Sequence, residues 1–94
     1  MKKIIIDKIK KRIKSGDYDL TYHAYEEMAE DGLGIIDIEN AIWSGNIIRV
    51  EKDDLIGTKY VIRGVGKDSS TKIEIIGRMK ETDIFLIITV YVVN

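Results

Sequence analysis

The 94-residue sequence predicts a single α+β domain over residues 1–94, with two or three N-terminal helices packed on one face of a C-terminal antiparallel sheet of about four strands. Apolar residues recur at helical spacing as far as Ser44, and beyond Gly45 the period changes to two. A chain of this length buries roughly 60–65% of its unfolded surface, enough for one core and too little for a second domain.

From Lys3 to Lys14, Ile5, Ile6, Ile9 and Ile13 recur at helical spacing among lysines, which predicts an amphipathic helix stopped at Ser15-Gly16. Tyr18-Asp19-Leu20 is short and extended. Thr21 then caps a helix from His23 to about Asp31, and Gly32 ends it. A third helix begins near Asp37, capped by that carboxylate, turns Ile38, Ala41 and Ile42 inward, and closes at Ser44-Gly45. Residues 46–53, 59–66, 72–80 and 84–93 alternate as strands, and their short connections make neighbours antiparallel. The last strand is apolar on both faces, so it is central or covered on both sides.

Alternation sorts the sheet into two faces. Ile48, Val50, Tyr60, Ile62, Ile73, Ile75, Met79, Leu86, Ile88 and Val90 form the set expected against the helices. Arg49, Glu51, Lys59, Arg63, Glu74, Arg78, Thr89 and Tyr91 form the other.

Cysteine is absent, which removes disulfides, thiolate nucleophiles and zinc-thiolate centres, and a single histidine removes a histidine metal cluster. The start Met1-Lys2-Lys3-Ile4-Ile5-Ile6 has the polarity of a signal peptide, but Asp7, Lys8 and Lys10 cut its apolar stretch short, so a cytoplasmic location is expected. Net charge is −1, yet charge is segregated. Residues 1–14 carry Lys2, Lys3, Lys8, Lys10, Lys11, Arg12 and Lys14 against Asp7 alone, while residues 16–40 carry eight acids and no lysine or arginine. The expected arrangement sets the first two helices side by side so that their fields compensate, or leaves each as a solvated face; a basic arm for RNA is the competing reading.

His23 falls in the first turn of its helix, where free amides favour the neutral imidazole of a general base. The competing role is a packed or capping histidine. Glu26, Glu27, Glu30 and Asp31 read as a solvated helix face rather than a metal site. On the polar sheet face, Lys59, Arg63, Arg78, Thr89 and Tyr91 supply cations, a hydroxyl and a phenol, equipment that stabilises a scissile phosphate and moves protons without a metal. Ordinary cross-strand pairing, Arg63 or Arg78 with Glu51 or Glu74, is the alternative. Trp43 follows the inward Ile42 and reads as a boundary core residue.

The order Thr21-x-His23-Ala24-x-x-x-Met28-x-Glu30-Asp31-Gly32-Leu33, Asp37-Ile38-Glu39-x-Ala41-Ile42-x-x-Gly45-x-Ile47-Ile48, Lys59-Tyr60-Val61-Ile62-x-Gly64 and Ile87-Ile88-Thr89-Val90-Tyr91 resembles a widespread prokaryotic domain of unknown function. That domain is similar in length and order of elements to the MqsR and RelE-like messenger-RNA-cleaving toxins. The resemblance implies a metal-independent endoribonuclease without cofactor, with His23, Arg78 and Tyr91 catalytic and Lys59, Arg63 and Thr89 holding the substrate. It also implies RNA and a small antitoxin protein as partners, and is compatible with a homodimer. The alternative within the same fold is a non-catalytic protein-interaction module.

Overall fold

The computed structural model describes residues 2–53, 55 and 57–94. Elements follow in the order α1 (Lys2–Ser15), β1 (Tyr18–Leu20), α2 (Tyr22–Glu30), α3 (Ile35–Ser44), β2 (Asn46–Asp53), β3 (Gly57–Val65), β4 (Lys72–Met79) and β5 (Phe85–Val92). The architecture is α+β, as the change of period predicts, but the sheet has five strands in the order β1-β5-β4-β3-β2. The added strand is the short extended segment after the first helix. It pairs parallel to β5 through Tyr18↔Phe85 and Leu20↔Ile87, which makes the sheet mixed.

Local chemistry sets the helix ends. Gly16, at φ +76°, closes α1 with bonds from its own amide to Ile13 and from the Asp17 amide to Arg12. Gly32, at φ +68°, closes α2 in the same way, with Leu33 N–H donating to the Met28 carbonyl. A left-handed residue at this position costs glycine nothing, and the paired bonds satisfy carbonyls the helix leaves open. Thr21 caps α2 by accepting the Ala24 amide at 3.1 Å. The third helix starts two residues earlier than its acidic residue suggests. Gly34 is its N-cap, and Asp37 sits inside the first turn, accepting the Gly34 amide at 3.0 Å. A carboxylate three residues into a helix reaches back to the cap as readily as one at the cap reaches forward.

The core brings Ile6, Ile9 and Ile13 of α1, Ala24 and Met28 of α2, and Ile38, Ala41 and Ile42 of α3 against Ile47, Ile62, Ile73, Ile75, Phe85, Ile87 and Val90. Three residues of the expected core set are corrected here. Ile48 is 39% exposed, and Leu86 and Ile88 are only partly buried, while Ile47, Phe85 and Ile87 take the core positions. The cause is a bulge in each strand. The register steps from Ile47↔Ile62 to Arg49↔Val61 in β2, and from Gly77↔Ile87 to Ile76↔Thr89 in β5. One extra residue inverts the alternation on one side of itself, so Val50 and Val90 follow the expected phase and the residues before Ile48 and Ile88 do not.

α3 lies so close to β3 that glycine is obligatory between them. A Cβ on Gly64 would stand 1.8 Å from the Ala41 carbonyl oxygen, and one on Gly45 would stand 2.5 Å from it. The polar side of α3 then grips the turn beyond β3. Asp37 Oδ1 accepts the Lys67 amide at 3.0 Å, Asn40 Nδ2 donates to the carbonyls of Val65 and Gly66, and Ser44 Oγ accepts the Val65 amide.

Gly64→Ala should cost about 3 kcal/mol in urea denaturation, because backbone atoms on both sides have nowhere to move. Asp37 has its pKa lowered, chiefly by the backbone bonds from Gly34 and Lys67. A group depressed in the folded state contributes stability above its unfolded pKa and loses it as pH falls through the folded one. The stability difference between wild type and Asp37→Asn should therefore be full at neutral pH and shrink below about pH 4.

Candidate functional site

β1 pairs with β5 only as far as Leu20, and the rest of that edge would otherwise present bare amides. α2 takes over. The Thr21 amide donates to the Ile87 carbonyl at 3.0 Å and its hydroxyl to the Ile88 carbonyl at 3.1 Å. One turn on, the Val90 amide donates to Glu27 Oε1 at 3.0 Å, and beyond it the Val92 amide donates to Asp31 Oδ2 at 3.3 Å. Two of the four acids expected to form a solvated face are thus bound to the edge of the sheet, four residues apart on the helix side that faces it. Glu26 and Glu30 are exposed, as expected of a solvated face.

The same Glu27 oxygen lies 3.2 Å from Nε2 of His23, one helical turn back. A carboxylate at that nitrogen selects the tautomer protonated on Nε2 and leaves the lone pair on Nδ1. His23 is largely exposed, with 65% of its side chain accessible. The histidine therefore has the acid partner that the sequence does not announce.

On the face of the sheet away from the helices, Asn46, Arg63, Glu74 and Tyr91 form one row across β2, β3, β4 and β5. Glu74 is its centre and is only 4% exposed. Arg63 donates to Glu74 Oε2 through Nη2 at 2.6 Å and Nε at 3.0 Å, and the Tyr91 hydroxyl donates to Oε1 at 2.5 Å. Arg49 donates from Nε to Glu51 at 3.1 Å and also reaches Tyr91. Val61, opposite Arg49 and Ile76, is fully buried, although it lies outside the core between helices and sheet. The bonds from Tyr91 and Arg63 hold the Glu74 pKa down against burial, whereas the Glu74 carboxylate, with burial, pushes the Tyr91 phenol up. Tyr91 therefore stays protonated through neutral pH and acts as a donor.

The six residues singled out from sequence do not all converge. Arg63 and Tyr91 meet through Glu74. Lys59 stands opposite Glu51, two pairs beyond Arg49↔Val61, and Thr89 stands opposite Ile76. Arg78 stands opposite Leu86, at the other end of β5 from Tyr91. His23 is joined to the sheet through Glu27 and the Val90 amide, so the histidine pair and the Arg63-Glu74-Tyr91 row reach β5 at adjacent residues. Three further residues take part: Glu27, which the sequence places on a solvated helix face, and Glu74 and Arg49, which it places on the polar sheet face, where the cross-strand Arg63–Glu74 pair expected as the alternative is the one that forms. The four-residue step from His23 to Glu27 is the one local signal among them. The other two depend on strand register.

Among the described residues no three His, Asp or Glu side chains gather as a metal-ligand set. Among the described residues no helix is long and apolar enough to cross a membrane. Residues 20–92 match the family described as a domain of unknown function, DUF4258. No curated protein and no solved structure matches.

Glu74→Ala should destabilise the fold by about 2 kcal/mol in urea denaturation, since it strands a charged donor and a phenol. Glu51→Ala, which frees only an exposed pair, should change stability by less than about 0.5 kcal/mol.

Proposed function

The chain belongs to the DUF4258 family, whose description assigns no activity, and from the site geometry we propose that it is a toxin-like, metal-independent endoribonuclease. The observation that carries this reading is that a carboxylate-held histidine and an arginine-tyrosine row are tied to consecutive residues of β5, the first through the Val90 amide and the second through Tyr91. In the proposed reaction the RNA 2′-hydroxyl gives its proton to His23 Nδ1 as its oxygen bonds to phosphorus. The bond from phosphorus to the 5′-oxygen breaks, that oxygen takes the phenolic proton of Tyr91, whose phenolate recovers a proton from solvent, and a 2′,3′-cyclic phosphate remains.

Glu74 does not exhaust Arg63. A guanidinium has five N–H donors, and Glu74 accepts two of them. The remaining three are free to grip a phosphate in a fixed orientation. Lys59, Thr89 and Arg78 lie along the same face, where they extend the track for the RNA strand, and a small antitoxin protein covering this face would be the neutralising partner.

A second reading, a non-catalytic interaction module, is favoured by charge balance: Arg49 is paired with Glu51 and Arg63 with Glu74, so the row is neutral without a ligand. Incubation of purified protein with RNA in EDTA separates the two. Cleavage with cyclic phosphate ends is expected, falling by about 100-fold or more in His23→Ala and Arg63→Ala and in Tyr91→Phe. Intact RNA with the wild type, with and without translating ribosomes, would leave the interaction module in its place.

A further inference from the structure

α1 and α2 carry opposite charge, yet they do not neutralise each other within one molecule. The main neighbours of α1 are α3, β2 and β5, those of α2 are β5 and β1, and among the described residues no ion pair joins the two helices. Of the two arrangements expected from the sequence, helices side by side with compensating fields or each a solvated face, the second is the one adopted. Each helix keeps an unpartnered face with its own apolar residues.

On α1 and α3 that face is a groove. Two adjoining depressions, about 390 and about 600 Å³, share Lys14 and Trp43. Their apolar walls are Ile36 and Ile4, which are 64% and 71% exposed, and Trp43 is 53% exposed rather than tucked into the core boundary. Lys8 and Lys11 line the second depression. An exposed tryptophan beside isoleucines, ringed by ammonium groups, suits a segment with apolar or aromatic side chains and carboxylates. Aliphatic walls and the acids Glu39 and Asp7 within the groove disfavour a nucleic-acid strand, which takes successive aromatic platforms and no carboxylates.

The outward stripe of α2 has the complementary chemistry. Tyr22 and Tyr25 are 79% and 51% exposed, Glu26 and Glu30 are exposed, and no cation lies between residues 16 and 40. We propose that the occupant of the α1–α3 groove is α2 of a second copy of this chain, its tyrosines against Trp43 and Ile36 and its glutamates among the lysines. A nine-residue helix is about 14 Å long and covers less than the roughly 800 Å² per partner of a stable complex. The association is accordingly weak, reversible and sensitive to salt.

Sedimentation of the purified chain from about 10 µM to about 1 mM tests this. The average mass should rise above that of the monomer at low salt and fall back at about 0.5 M NaCl. The double variants Lys11→Glu/Lys14→Glu and Glu26→Lys/Glu30→Lys, all at exposed positions, should each be folded by circular dichroism and monomeric. Mixed in equal amounts they should associate again, because one keeps the helix and the other keeps the groove, and Trp43 emission should shift on mixing. A wild type that stays monomeric throughout, variants that associate as the wild type does, or a mixture that stays monomeric overturns the proposal. So does an RNA oligonucleotide that shifts Trp43 emission in a monomeric wild type, which would assign the groove to nucleic acid.

Discussion

β5 joins the short strand β1 and helix α2 to the rest of the sheet, and its open edge is the constraint around which they are arranged. Buried backbone amides must find acceptors, and a strand edge left bare invites pairing with another chain. Here the edge is closed in two stages. Tyr18–Leu20 supplies a parallel ladder for the first half, and Glu27 and Asp31 supply side-chain acceptors for the amides of Val90 and Val92. That arrangement places α2 against β5, holds Met28 and Ala24 in the core, and sets the His23–Glu27 pair at the β5 edge beside Val90.

The bulge at Ile88 couples this edge to the polar face. Without the extra residue, the alternation that points Phe85 and Ile87 inward would carry Thr89 and Tyr91 inward as well. With it, Val90 turns into the core and offers its amide to Glu27, while Tyr91 faces outward beside Glu74. One inserted residue thus settles both the phase of the core and the composition of the outer row. The glycines at 45 and 64 serve the opposite layer, letting α3 approach β3 closely enough for Asp37, Asn40 and Ser44 to hold the turn after β3.

Much of this was legible from residue types. The helix stops at Gly16 and Gly32, the Thr21 cap and the change of period after Gly45 all arise from interactions within a few residues, and they appear where the local chemistry puts them. The candidate site was legible in part. Arg63 and Tyr91 share a row, but Arg78 stands at the far end of β5 and the buried centre of the row is Glu74. A lone histidine and an acidic helix looked unconnected because the bond that gives Glu27 its place is to Val90, 63 residues away.

The sequence by itself determined the fold class, the helix boundaries to within a turn, the two-faced character of the sheet and the segregation of charge between α1 and α2. Those properties depend on periodicity and capping, which act over one or two turns. Only the tertiary structure decided that Tyr18–Leu20 is a fifth strand, that bulges at Ile48 and Ile88 rephase the core, that Glu27 serves both a strand edge and His23, and that among the described residues no ion pair joins the oppositely charged helices. Each of those depends on contacts between segments distant in the chain, where an inserted residue or a shared hydrogen-bond acceptor overrides the local pattern.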